Sequence, residues 1–114
     1  MEIKVNKKDG DIFLLELSGS LDLYSSNQLK EQIMKIIESR VEGIILNLID
    51  IGNINSTGIG ALIYAASTLR KLNCPMVIVA PKGPLINILE ISRLKPYFTV
   101  AASVDAALAI VKPK

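Results

Sequence analysis

The run Ile44-Ile45-Leu46-Asn47-Leu48-Ile49 continues through Asp50-Ile51-Gly52-Asn53-Ile54 into Asn55-Ser56-Thr57-Gly58-Ile59-Gly60-Ala61-Leu62. Its first six residues are short, rich in β-branched side chains and apolar on both faces, the pattern of a central strand covered on two sides. From about Thr57 to Leu72 the period changes, and Ile59, Leu62, Ile63, Ala66 and Leu69 recur at helical spacing. A buried-type strand that leads straight into a helix is the unit of an α/β sheet, and such sheets carry their binding surfaces where strands hand over to helices. Ser56 stands where an N-cap belongs, with its oxygen placed to accept from one of the first-turn N–H groups that lack a helical partner. Gly58 and Gly60 each cost a helix about 1 kcal/mol relative to alanine. Close approach of another chain, or of the helix to the sheet, is the physical reason to omit side chains there. A phosphate-cradling loop is disfavoured, because Gly58-Ile59-Gly60 lacks the third glycine of a dinucleotide loop and the lysine of a P-loop.

The same order of elements extends outward from this unit. Upstream, Ile3 and Val5, a turn at Asp9-Gly10 and the run Ile12 to Leu17 predict a β-hairpin, ended by Ser18-Gly19-Ser20. Ser25 followed by Gln28 has the spacing of a capping box ahead of Leu29, Ile33, Ile36 and Ile37, so a first helix is expected to about Arg40, with Gly43 as a stop just beyond. Downstream, Asn73 and Pro75 end the second helix, and Met76-Val77-Ile78-Val79-Ala80 is a second buried-type strand. Pro84 opens a helix carrying Leu85, Ile86, Ile88 and Leu89. After Pro96, Phe98 to Ala101 reads as the last strand, and Ser103 caps a final helix through Val111. The whole is an α/β fold: a mixed, largely parallel sheet of about five strands in one domain over residues 1–114, whose ends, Met1 and Lys112-Pro113-Lys114, should fray.

Composition narrows the function. Half of the 114 residues are hydrophobic and 21% are charged, which suits one ordinary core. A net charge of +2 with no cluster of Lys or Arg leaves no electrostatic footprint for nucleic acid or anionic lipid. No stretch approaches a membrane span, and Met1-Glu2-Ile3-Lys4 does not open a signal peptide, so a cytoplasmic protein is expected. The single cysteine, Cys74, agrees with a reducing compartment and reads as a loop or strand-edge residue. Histidine is absent, which removes the usual general base and the commonest metal ligand. No acid, base and nucleophile can be assembled, so neither an enzyme nor a cofactor site is expected. Tyr24 and Tyr64 read as partly buried aromatics with a wet hydroxyl, Asp50 as a strand-end residue, and Lys30, Glu31, Lys35 and Glu38 as a solvated face.

With those residues in view, the chain resembles the STAS domain and, within it, the bacterial anti-sigma factor antagonists. The family pattern of a hydrophobic strand, a short loop and Asp-Ser-Ser/Thr-Gly-Leu-Gly-x-Leu is matched by Asn55-Ser56-Thr57-Gly58-Ile59-Gly60-Ala61-Leu62, and its Leu-x-Gly-x-Leu-Asp by Leu17-Ser18-Gly19-Ser20-Leu21-Asp22. The resemblance implies a STAS-like fold and a partner switch. The unmodified protein would bind an anti-sigma factor that is also a serine kinase. Phosphorylation of the serine matched by Ser56 would end that hold, and a metal-dependent, PP2C-like serine phosphatase would restore it. Docking would run through the turn of Asp22, Tyr24, Ser25 and Ser26 and the helix start of Asn55, Ser56, Thr57, Gly58 and Gly60. Asp22 would either organise its turn or meet a basic residue of the partner. Asn55 departs from the family's Asp: it keeps the size, loses the charge and repels an incoming triphosphate less. That departure favours the alternative role within the fold, a non-phosphorylated accessory subunit of a lipid transporter or signalling scaffold.

Overall fold

Five strands lie side by side in the order in which they occur along the chain. The computed structural model describes residues 2–8, 10–80, 84–91, 93 and 98–112. Strand β1 (Glu2–Lys8) pairs antiparallel with β2 (Ile12–Leu21), and β3 (Gly43–Ile54), β4 (Met76–Val79) and β5 (Thr99–Ala101) follow in parallel. Between them run α1 (Leu23–Ile37), α2 (Ser56–Lys71) and α3 (Pro84–Ile91), and α4 (Val104–Val111) follows β5. The mixed, largely parallel sheet is the one expected. Of the expected punctuation, Asp9, Pro96, Pro113 and Lys114 lie outside the described residues.

Alternation along the strands divides the core into two layers. Leu15, Leu17, Leu21, Ile44, Leu46, Leu48 and Ile78 face α1, α2 and α3 and pack with Leu29, Ile33, Leu62, Ala65, Leu69 and Leu89. Ile12, Leu14, Ile45, Val77, Val79 and Ala101 face the other way and meet Val104, Ala107, Leu108 and Val111 of α4. Residues 43–46 of β3 are therefore buried without interruption, as the apolar run predicts for a strand covered on both sides. On α2 the buried stripe is Gly58, Ala61, Leu62, Ala65 and Leu69, and Ile63 and Ala66 form its half-buried margin. The helix ends as Asn73 and Pro75 suggested. Asn73 adopts φ 55°, its N–H donates to the Arg70 carbonyl at 3.0 Å, and the Cys74 N–H donates to the Leu69 carbonyl at 2.9 Å, a Schellman closure.

Several boundaries differ from the sequence reading. Ser18-Gly19-Ser20 lies inside β2, which continues to Leu21 because Gly19, at φ 98°, sits among register shifts against β3 and lets the strand bend without ending. Helix α1 begins at Leu23, capped by Asp22, and the capping box is Asp22 with Ser25, so Ser25 is its third residue and not its cap. It ends at Ile37, and Gly43 opens β3 where a Cβ would collide with the Val111 side chain of α4. Helix α2 begins at Ser56, capped by Asn55 and not by Ser56: the Asn55 Oδ1 accepts from the Gly58 N–H at 3.0 Å. Strand β5 starts at Thr99, one residue later than expected. Ser103 caps α4 as expected, accepting from the Ala106 N–H at 3.1 Å.

The two glycines of α2 have different causes. Gly58 is buried, and a Cβ there would run into the Leu21 carbonyl oxygen, with Leu21 Cγ at 2.9 Å and Ile54 Cγ1 at 3.0 Å. It is close packing of the helix start on the ends of two strands, so Gly58 is not clearance for a partner. A Cβ on Gly60 meets nothing within 4 Å. Four outcomes are expected in chemical denaturation. Gly58→Ala loses about 1–3 kcal/mol because backbone cannot step aside, whereas Gly60→Ala gains up to about 1 kcal/mol of helix propensity. Asn55→Ala loses about 0.5–2 kcal/mol as a cap, and Ser56→Ala stays within about 0.5 kcal/mol of the wild type.

Candidate functional site

Register places the site. Strands β2 and β3 run parallel, and their last residues, Leu21 and Ile54, are partners across the ladder. The next residue of each chain segment, Asp22 and Asn55, caps a helix, so the starts of α1 and α2 stand side by side at the carboxyl edge of the sheet. The Asn55 N–H donates to the Leu21 carbonyl at 3.3 Å and ties the two turns together. An open depression lined by Asp22, Leu23, Tyr24, Asn27 and Asn55 lies over the junction.

Asp22 is held by its own turn. Its Oδ1 accepts from the Ser25 N–H at 3.1 Å and lies 3.0 Å from the Ser25 Oγ. The Ser25 Oγ in return accepts from the Asp22 N–H at 2.8 Å, and its single proton is shared between the Ser20 carbonyl at 2.7 Å and the Asp22 carboxylate. The carboxyl is held below its usual range first by the Ser25 N–H and then by the Ser25 hydroxyl, both of which favour the ionised form. At neutral pH this turn is therefore anionic.

The residues expected at a docking surface separate into two groups. Asp22, Tyr24, Asn55, Ser56, Thr57 and Gly60 are exposed. Ser25 and Ser26 are each 1% exposed, and Gly58 is buried, so these three shape the surface from beneath and offer nothing to a partner. The reason is the helix start: with Asp22 as the cap, Ser25 and Ser26 fall on the inner side of the first turn of α1. Tyr24 is 74% exposed and is not the partly buried aromatic that the sequence suggested. Leu23, 66% exposed, and Asn27 belong to the surface and were missed for the same reason. The Asp-x-x-Ser spacing of Asp22 and Ser25 was the signal that could have found them.

Ser56 is exposed at the first position of α2, and among the described residues its hydroxyl has no hydrogen-bond partner. The capping work is done by Asn55, whose amide oxygen replaces the family's carboxylate as acceptor without adding charge. The first turn of α2 holds no acidic residue of its own and is capped by that neutral oxygen, while the Asp22 carboxylate lines the same depression as Asn55. Thr57 is likewise exposed, with no capping role.

Elsewhere the chemistry is sparse. Asp50 lies within β3 opposite Ser18, beside Glu2 and Glu16 and away from Ser56, and among the described residues no group of carboxylates or thiols could hold a metal ion. Cys74 is buried just ahead of β4, where desolvation pushes its thiol above the ordinary range and disfavours the thiolate. No helix among the described residues is long and apolar enough to cross a membrane.

The STAS domain family model matches residues 3–107. The anti-sigma-B factor antagonist of Listeria monocytogenes is 26% identical over 96 residues, which cover 82% of this chain and 82% of that protein. The low affinity sulfate transporter 3 of Stylosanthes hamata is 27% identical over 110 residues, 80% of this chain and 17% of that protein. Among solved structures, the anti-sigma factor antagonist SpoIIAA in its unphosphorylated form gives a TM-score of 0.80 at 19% identity, covering 96% of each chain. The phosphorylated form of SpoIIAA from Bacillus gives 0.75 at 20% identity, covering 97% of this chain and 100% of that one. A family match over nearly the whole chain, on a fold that aligns end to end with SpoIIAA, places this protein in the STAS domain family.

Proposed function

We propose that the protein is an anti-sigma factor antagonist that binds an anti-sigma factor kinase through the surface around Ser56 and releases it when Ser56 is phosphorylated. One observation carries the reading: Ser56 presents an unengaged hydroxyl at the start of a helix whose cap is supplied by its neighbour. A modifying enzyme can reach that oxygen without dismantling the fold. The likeness to an antagonist in Listeria supports the role, and the existence of SpoIIAA in two phosphorylation states supports the switch.

The physics separates folding from binding. In the transfer, the Ser56 Oγ takes the γ-phosphoryl group of ATP and ADP leaves. The phosphate adds nearly two negative charges beside the positive end of α2 and its free N–H groups, so the fold tolerates or gains from it. A partner surface shaped for a small neutral hydroxyl must desolvate the same group, and binding suffers. A serine phosphatase then returns the hydroxyl.

The accessory-subunit reading draws on Asn55 in place of the family's Asp and on the match to a sulfate transporter in which the aligned part is 17% of the protein. In that role Ser56 stays unmodified. The distinguishing experiment incubates the chain with its serine kinase and ATP, locates phosphate by mass spectrometry, and measures melting temperature and partner affinity before and after. The expected result is phosphate on Ser56, an unchanged or raised melting temperature, and a loss of affinity of about a hundredfold, or roughly 3 kcal/mol. Phosphate elsewhere, or phosphate on Ser56 with affinity unchanged, removes the switch and leaves the accessory role.

A further inference from the structure

We infer that the partner-binding surface does not stop at the turn around Ser56 but continues down the outer seam between α1 and α2, where it accepts an amphipathic helix of the partner bearing one carboxylate. The inference rests on the antagonist reading and adds the seam to it. At helical spacing Leu23, Asn27, Lys30 and Met34 fall on one side of α1, within a sector of about 60°. Leu23 is 66% and Met34 44% exposed. On α2 the exposed positions Ser56, Gly60 and Tyr64 follow at intervals of four, so they form one row that begins at the candidate site.

The two rows are in contact. The Lys30 Nζ stands 5.2 Å from the centre of the Tyr64 ring, and the Tyr64 hydroxyl lies 3.9 Å from the Met34 sulfur. Leu23 and Asn27 line the same depression as Asn55, so the seam is continuous with the Ser56 surface. Exposed thioether and aromatic groups are adaptable or rigid anchors that binding surfaces use, and a solvated helix face has no need of them. Gly60 is the notch. A Cβ there would touch nothing, so internal packing does not require glycine, although glycine weakens the helix. An approaching backbone does require it.

Length and charge select the occupant. From Leu23 to Met34 the seam spans about 16 Å, which matches some three turns of helix. Its one cation is Lys30, held over Tyr64, and its one carboxylate, Asp22, is engaged with its own turn at the far end. The complement is a helix with an apolar face toward Met34, Tyr64 and Gly60 and an Asp or Glu opposite Lys30.

The test titrates a purified anti-sigma factor of the serine-kinase class from the source organism into the full chain by calorimetry, comparing wild type, the Met34→Ala/Tyr64→Ala double variant, Lys30→Glu and Lys8→Glu, with melting curves for each. Lys8 is exposed on β1 and supplies the same change of net charge away from the seam. The expected result is a loss of about tenfold or more for the double variant and for Lys30→Glu, none for Lys8→Glu, and melting temperatures close to wild type. In addition, Tyr64→p-benzoylphenylalanine is expected to crosslink, on irradiation, to a helix of the anti-sigma factor that contains Asp or Glu. Wild-type binding with no loss in the seam variants overturns this inference and leaves the antagonist reading standing. Absence of wild-type binding overturns both. Crosslinking of the chain to a second copy of itself assigns the seam to self-association and overturns the inference.

Discussion

The parallel pairing of β2 with β3 is the constraint on which the rest depends. Because Leu21 and Ile54 are ladder partners, the two strands finish level, and the residues that follow them cap two helices at one edge of the sheet. The packing of Gly58 on the Leu21 carbonyl and on Ile54 then fixes the height at which α2 starts. A helix start displaced by two residues would put Ser56 where Gly58 now sits, buried against the strands. The exposure of that hydroxyl is thus a consequence of strand register and of one missing methyl group.

The electrostatics of the site follow from which atoms do the capping. The start of α1 carries an anionic cap whose carboxyl is engaged by Ser25, while α2 is capped by a neutral amide and has no acidic residue in its first turn. The two helix ends are alike in geometry and opposite in how far their dipoles are compensated. An uncompensated end next to a free hydroxyl is a good place to put a phosphate, and a carboxylate at position 55 would compete with it for the same N–H groups.

The two faces of the sheet are unequal in a way that suits this division of labour. Helices α1 and α2 cover one face with a core of long aliphatic side chains, so their inner sides are rigidly held and their outer sides are available to the solvent or a partner. The other face is closed by α4 with smaller groups such as Ala107 and Val104. The candidate surface and the core are therefore opposite sides of the same two helices, which explains how Ser25 and Ser26 lie directly beneath that surface and yet are buried.

The α/β class, the order of elements, the central strand and the motif from Asn55 to Leu62 were legible in the sequence, because apolar periodicity and chain punctuation are local properties that burial then enforces. The prominence of Ser56 was legible from the motif it shares with its family. Three things were decided by tertiary structure. Asn55 and not Ser56 took the cap, since both residue types cap well and the exit of the chain from β3 decides whether the Asn55 amide oxygen or the Ser56 hydroxyl faces the first turn. Gly58 and Gly60, alike in sequence, became a packing contact and an open notch, since what lies beside a glycine depends on the neighbouring strand. Tyr64, Met34 and Lys30 came together across 30 residues or more only when α1 and α2 were laid against one sheet. Local pattern determines what an element is, and register determines which of its side chains face the solvent.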